Sequence, residues 1–243
     1  MKVGIIGLGE VGSAIKKLAE KKHNVFTKNR KIDLIKGNKI DILHICIHYS
    51  TEFEKTVVKA IKDYLPRLTI IESTVAPGTT ERIYKKTKVL ICHSPIRGIH
   101  PHLYKSIKTF VKYIGPTTPI AGKKVSSYYK NLDVKTEVFK DSKTSEIAKL
   151  FDTTYYAWNI IFQKELYKIC QKQKVPFEQV YKKWNETYNE GYKKLKKANV
   201  IRPVLKDYPG KIGGHCLIPN CTILESNLSN LISKTILALN RKY

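Results

Sequence analysis

Arginine is scarce in this chain of 243 residues. It supplies 6 of the 45 cationic side chains, against 20 acidic ones, so the net charge of +25 is carried by lysine. Nucleic-acid interfaces lean on the planar guanidinium for bidentate contacts with phosphates and base edges, which argues against such a partner. The lysines are also spread through the sequence, in EIAKLF, QKELYK, VYKKW and GYKKLKK, and form no basic arm. A solvated lysine surface is expected, one that attracts an anionic substrate or cofactor. Long apolar runs are missing as well: none approaches the roughly twenty residues that cross a bilayer, so no membrane partner is expected. Met1-Lys2 leads straight into VGIIG, a stretch too short and too soon followed by charge for a signal peptide, so no secretory leader is expected. Cysteine is sparse, at 46, 92, 170, 216 and 221, an odd number without framework spacing. Free thiols in a reducing, cytoplasmic setting are the expectation.

What is present alternates. Over 1–141, strands are predicted at KVGIIG, NVFTK, DILHICI, LTIIES, KVLICHS, TFVKYIG and VKTEVF. Helices are predicted between them at VGSAIKKLAEKK, FEKTVVKAIKDYL, TTERIYKKT and GKKVSSYYKNL. That order implies an α/β fold with a parallel, doubly wound sheet of the Rossmann type. The connection after NVFTK is too short for a full crossover helix. Over 142–243 the pattern turns helical. SKTSEIAKLFDTTYYAWNIIFQKELYKICQKQ reads as one long central helix. A second helix covers VPFEQVYKKWNETYNEGYKKLKKAN, with Pro176 in its first turn. On it Phe177, Val180, Tyr181, Trp184, Tyr188 and Leu195 form a stripe suited to a core or a subunit interface. SNLSNLISKTILALNRK reads as the last helix. Two domains are expected: 1–141 binding a dinucleotide, and 142–243 all-helical and dimer-forming.

GLGEVG, from Gly7 through Leu8, Gly9, Glu10 and Val11 to Gly12, follows the first strand and opens the first helix. In that context it is the dinucleotide fingerprint. Gly7 allows the sharp turn, Gly9 lets backbone approach a pyrophosphate, and Gly12 lets helix pack on strand. NAD or NADP is the cofactor expected. An acidic residue about twenty positions on normally accepts the ribose hydroxyls. Here the second strand ends in Lys28, Asn29 and Arg30, and no carboxylate appears until Asp33. Two cations suit the 2′-phosphate of NADP, or a loosely selective pocket.

Late in the chain, YPGKIGGHCLIPNC places Gly213 and Gly214 directly before His215 and Cys216. Paired glycines serve either a tight turn or a close approach of backbone to a ligand beside the thiol. His44, Cys46 and His48 share one face of a strand, but three ligands on one strand rarely close a tetrahedral site, and no metal is expected. HPH at 100–102 is a weaker signal still. Pairing of Cys216 with Cys221 is not expected in a reducing compartment.

With the front turn, IESTVAPGTT, the long helix from SEIAKLF and GGHCLIP in this order, the chain resembles the UDP-glucose/GDP-mannose dehydrogenase family, nearest its UDP-N-acetyl-hexosamine branch. The resemblance covers nearly the whole chain. It implies oxidation of a sugar C6 alcohol to a carboxylate through a cysteine-bound thiohemiacetal and thioester. On that basis Cys216 is the nucleophile, Lys149 holds the oxyanion and supports the thiolate, and Thr74 positions a catalytic water. A homodimer is implied through the long helix.

The pattern is also broken. SPIRG puts Ile96 where the family has a catalytic glutamate; Thr153 replaces an oxyanion-binding asparagine; Asn220 replaces an aspartate four residues after the cysteine. An amide is no general base near neutral pH. The family's third domain, which holds the nucleotide half of the substrate, is not expected in this chain. A partner chain supplying it, a smaller anionic substrate, or a degenerate dehydrogenase serving as a dinucleotide-binding or scaffold subunit remain alternatives. So does a two-domain dehydrogenase of small hydroxy acids, with Lys149 as its acid and base.

Overall fold

Strands that are largely apolar on both sides must be covered on both sides, and four of the first five predicted strands, all but NVFTK, are of that kind. The structure, a computed structural model, describes residues 1–206 and 209–243. It divides into two compact units, Met1–Lys149 and Leu150–Tyr243.

The first unit is a seven-stranded sheet. Its strands are β1 (Lys2–Ile6), β2 (Asn24–Lys28), β3 (Ile42–Ile45), β4 (Leu68–Ile71), β5 (Leu90–His93), β6 (Lys112–Pro116) and β7 (Thr136–Val138), in spatial order β2-β1-β3-β4-β5-β6-β7. Helices α1 (Glu10–Ala19), α2 (Phe53–Tyr64), α3 (Thr79–Thr87), α4 (Leu103–Thr109) and α5 (Pro119–Asn131) connect them. Alternate residues of each strand feed opposite cores. Val3, Ile5 and Ile70 pack with Ile15, Leu18, Val125 and Tyr129, whereas Leu43, Ile45 and Ile71 pack with Phe53, Val57, Ile61 and Ile83. No helix lies between β2 and β3, as the short connection implied.

Three details depart from the sequence reading. β6 runs antiparallel to β5, with Cys92 opposite Pro116, so the sheet is mixed and not wholly parallel. The stretch expected to begin a strand at Thr109 instead ends α4, which buries Leu103, Ser106 and Ile107. α5 starts at Pro119, earlier than expected, because Thr118 accepts the Ala121 N–H and Pro119 occupies the first turn.

A charged cluster lies inside the sheet core. Lys112, at the start of β6, reaches Glu72 at the end of β4 (Nζ–Oε2 2.7 Å), and both side chains are buried. Its ammonium also donates to the carbonyls of Ser94 and Pro95. The other carboxylate oxygen receives the Tyr129 hydroxyl and contacts His44 Nδ1 at 2.9 Å, and His44 Nε2 contacts the Tyr128 hydroxyl at 3.0 Å. Burial alone would raise the Glu72 pKa; Lys112 and His44 outweigh it and hold the carboxyl at about 2.

The second unit is helical. The long helix α6 (Ser142–Gln173) enters it, and a π-helical segment (Glu178–Lys183), α7 (Trp184–Lys194), α8 (Leu217–Leu228) and α9 (Leu231–Asn240) follow. Ala157, Ile161, Ile212, Cys221 and Ile236 form its core. The final helix expected over 226–242 is interrupted, because Ser229 adopts a left-handed conformation and Asn230 caps α9 by accepting the Ser233 N–H, and α8 begins at Leu217 within the stretch read as a loop. The aromatic stripe over 177–195 is not core. Only Tyr181 of it is buried, whereas Trp184 is 66% and Leu195 68% exposed. Among the described residues, no helix is long and apolar enough to cross a membrane.

Removing one partner of a buried ion pair strands the other charge. Lys112→Met should therefore cost about 3–5 kcal/mol in urea unfolding. A loss below about 1 kcal/mol would show that Glu72 is satisfied without the ammonium.

Candidate functional site

After β1 the chain moves one way to β2 and then returns past β1 to β3, so the strand order reverses between β1 and β3. Ligands of open α/β sheets bind at such a point, outside the carboxyl ends of the strands. The glycine turn lies there. Gly7 has φ +92, and a Cβ on it would sit 2.5 Å from the Cys46 carbonyl oxygen. A Cβ on Gly12 would sit 1.7 Å from the Gly7 carbonyl oxygen, so helix and turn touch backbone to backbone. Gly9 differs: a Cβ there would meet nothing within 4 Å. Gly9 is also the N-cap of α1 and offers no side-chain acceptor to the helix's leading N–H groups. Open space before an uncapped helix N-terminus fits the pyrophosphate of a dinucleotide. Leu8 and Val11 are half-buried, while Glu10 is exposed and bonded to His100 Nδ1.

At the end of β2, the predicted cofactor contacts have partners of their own. Lys28 is bonded to Asp33 and Tyr64, and the Asn29 side chain accepts the N–H groups of Lys31 and Ile32. Arg30 is exposed.

The stretch after β4 is held at several points. Ser73 Oγ donates to the Ile47 carbonyl, and the Ser73 carbonyl contacts His93 Nε2 at 3.1 Å. The Glu146 carboxylate accepts the N–H groups of Gly78 (2.5 Å) and Thr80 (2.9 Å) and the Thr80 hydroxyl (2.6 Å). This is a carboxylate at the N-terminus of α3, where the helix favours negative charge. Burial nevertheless raises the Glu146 pKa against those bonds. Thr74 is half-buried within this braced segment, and half-buried Lys149 stands three residues beyond Glu146 on α6.

In the second unit Cys216 is the N-cap of α8 and half-buried. Unpaired N–H groups at such an end favour negative charge on a neighbouring group. Gly214 has φ +81, a conformation that favours glycine, and open space surrounds both Gly213 and Gly214. Both glycines leave room for a ligand, and Gly214 also shapes the turn. His215 is exposed, and Tyr208, which begins the motif, lies outside the described residues. Asn240 clamps the approach to this turn, accepting the Ile212 N–H at 2.6 Å and donating to the Ile212 carbonyl at 3.3 Å. Cys221 is a buried free thiol near the Thr154 hydroxyl.

The structure brings two predicted residues together: Asn220 Nδ2 donates to Thr153 Oγ1 at 3.2 Å, both buried. Ile96 is likewise buried, packed in the apolar core of the first unit. His44, one of the metal candidates, is occupied by Glu72 and Tyr128.

Sequence reasoning missed a cavity of about 400 Å³ in the second unit. Gln163, Lys164, Lys206, Lys211, Gly213 and Leu217 contribute to its lining. Three lysines on one concavity suit an anionic ligand. In the sequence they are three of 39 lysines with nothing local to single them out.

No protein-family model matches the chain. A UDP-N-acetyl-D-mannosamine dehydrogenase of Methanocaldococcus jannaschii is 29% identical over 190 residues, covering 75% of this chain and 42% of that protein. The chain thus spans about two fifths of the length of such curated relatives. The structure of a UDP-D-ManNAc dehydrogenase from Pyrococcus horikoshii superposes with a TM-score of 0.77 at 20% identity, over 100% of this chain and 68% of that one. A 3-hydroxyisobutyrate dehydrogenase from Mycobacterium tuberculosis gives 0.71 at 12% identity, over 99% and 92%.

The three glycines of the front turn should separate on substitution. Gly12→Ala, which forces backbone apart, should cost about 2–3 kcal/mol. Gly9→Ala should leave unfolding unchanged within about 0.5 kcal/mol while abolishing dinucleotide binding. Thermal melts and fluorescence titration with NADH would check both; equal stability loss at the two positions would contradict the assignment.

Proposed function

We propose, since the chain belongs to the UDP-glucose/GDP-mannose dehydrogenase family, that it oxidises the C6 alcohol of a UDP-N-acetyl-hexosamine or a similar anionic sugar to a carboxylate. The observation that supports this most is Cys216 at the N-terminus of α8, in a turn flanked by Gly213 and Leu217 of the lysine-lined cavity. A nicotinamide dinucleotide would supply the hydride acceptor when bound. Gly7, Leu8, Gly9, Glu10, Val11 and Gly12 would hold its pyrophosphate, with Lys28, Asn29 and Arg30 at the adenosine end. The Cys216 thiolate would add to the carbonyl carbon of the aldehyde stage, forming a carbon–sulfur bond and leaving an oxyanion. The Lys149 ammonium would hold that oxyanion, and Thr74 would orient the water that releases the acid.

Two features favour a slower enzyme, or a dinucleotide-binding subunit without turnover. Ile96 is core, and Asn220 is tied to Thr153, so neither position offers a base. A missing general base lowers a rate by about two to four orders of magnitude. The superposition on 3-hydroxyisobutyrate dehydrogenase, over 92% of that chain, keeps a small hydroxy acid as the alternative substrate. A cytoplasmic location accords with the free thiols.

A homodimer through α6 is part of the same reading. Tyr155, Trp158, Phe162 and Ile169 recur at helical spacing on it, and all are exposed in the single chain. Chains of 27.9 kDa should therefore travel as pairs in light scattering, and Trp158→Glu with Phe162→Glu should return them to single chains. A wild-type monomer would contradict the pairing.

Iodoacetamide should label Cys216 and abolish turnover, and two reduced cofactors should form per UDP-sugar consumed. Cys216→Ser should stop acid formation. Full acid production by that variant would rule out the thiol route; binding without turnover in the wild type would favour the subunit reading.

A further inference from the structure

HPH at 100–102 lies beside the glycine turn. After β5 the chain passes Ile96, buried in the core, and reaches α4 at Leu103. The segment between them is tied down. Gly98 packs against Ser106 so closely that a Cβ on it would sit 2.1 Å from the Ser106 Cβ. The Ser106 hydroxyl accepts the Ile99 N–H at 3.3 Å and donates to the His102 carbonyl at 2.9 Å. The His102 N–H in turn donates to the Ile99 carbonyl. Helix α4 is itself fixed to α1. Leu103 and Ile107 share a core with Ile15 and Leu18, and the Lys17 and Lys21 ammonium groups lie over the Tyr104 ring. His100 is thereby carried to the start of α1, where its Nδ1 contacts the Glu10 carboxylate. An ionised carboxylate has no proton to give, so the imidazole is the donor.

Glu10 stands in the first turn of α1, one residue after Gly9. Its backbone belongs to the glycine turn, but its carboxylate is a difficulty there. Negative charge at a helix N-terminus is drawn to the unpaired N–H groups. Those same groups are the ones offered to a pyrophosphate, and Gly9 gives them no side-chain acceptor. The Glu10 carboxylate is therefore both a rival for the helix end and a like charge beside any phosphate bound at it. A donor that engages the carboxylate weakens both effects, and His100 is such a donor.

We propose that His100 is a positioning residue of the dinucleotide site: by engaging Glu10 it keeps that carboxylate from opposing the pyrophosphate at Gly9. The proposal rests on the dinucleotide reading above and is independent of which nicotinamide cofactor binds and of any reaction. The two side chains are 45% and 58% exposed, so substitution at either should leave the fold intact.

Fluorescence titration of the full chain with NADH tests it, with thermal melts to verify folding. His100→Ala should weaken binding by about three- to fivefold, the scale of a half-exposed charge contact. His100→Glu, which puts a second carboxylate in that place, should weaken it further, by about tenfold. With Glu10→Gln in place, His100→Ala should change affinity by less than about twofold, because the charge it offsets is gone. Wild-type affinity in His100→Ala overturns the proposal, as does a His100→Glu chain that binds no more weakly than His100→Ala. An equal loss with and without Glu10→Gln also overturns it, since His100 would then act through the loop or on the cofactor directly. A wild type that binds no dinucleotide overturns the dinucleotide reading itself, a separate outcome.

Discussion

The ion pair between Lys112 and Glu72 is the constraint on which much of the first unit depends. Two charges inside an apolar sheet are tolerable only if they are paired and well hydrogen-bonded, and here the ammonium has three acceptors while Lys112, His44 and Tyr129 surround the carboxylate. The ammonium spends its protons on Glu72 and on the Ser94 and Pro95 carbonyls. It thus fastens β6, which runs against its neighbour, to the end of β4 and to the segment leaving β5. The same anchoring seats Ile96 in the core, where a charged side chain would lack a partner of its own. The absence of a carboxylate there is a property of the packing as well as of the reactive surface.

The sheet was legible from the sequence because strands buried on both faces are written as near-continuous apolar runs, as in ILHI and LTII. The glycine turn was legible because its three glycines answer different steric demands. Less visible were features decided at a distance. Lys112 looks like any other lysine in TFVKYIG; only the fold shows that its partner is Glu72, forty residues earlier. α4 went unseen because it is only seven residues long and has no side-chain cap at its start. The split between α8 and α9 was missed although Asn230 is a good N-cap, since the apolar period continues across it. The aromatic stripe on α7 has core-like spacing and yet faces outward, because spacing reports a face and not what covers it.

The candidate site divides in the same manner. Gly9, Cys216 and Gly214 could be named from local pattern, but the open space at the two glycines and the position of Cys216 as the N-cap of α8 are visible only in the fold. Lys28 and Asn29 could be named too, but not their engagements, which depend on a chain reversal and on a tyrosine from another helix. The lysine-lined cavity depends on residues from 163 to 217 meeting in space, an arrangement invisible in a sequence where lysine is the commonest charge.

Thr153 and Asn220 stand where the resembling family has an asparagine and an aspartate, and in this chain they are neighbours. As the two side chains stand, the Thr153 hydroxyl donates to the Leu150 carbonyl and receives the amide of Asn220. A hydroxyl has one proton and can turn it, so an aspartate at 220 would draw that proton away from the Leu150 carbonyl. The residue at 220 thus decides whether position 153 spends its proton on its own helix or on a neighbouring one.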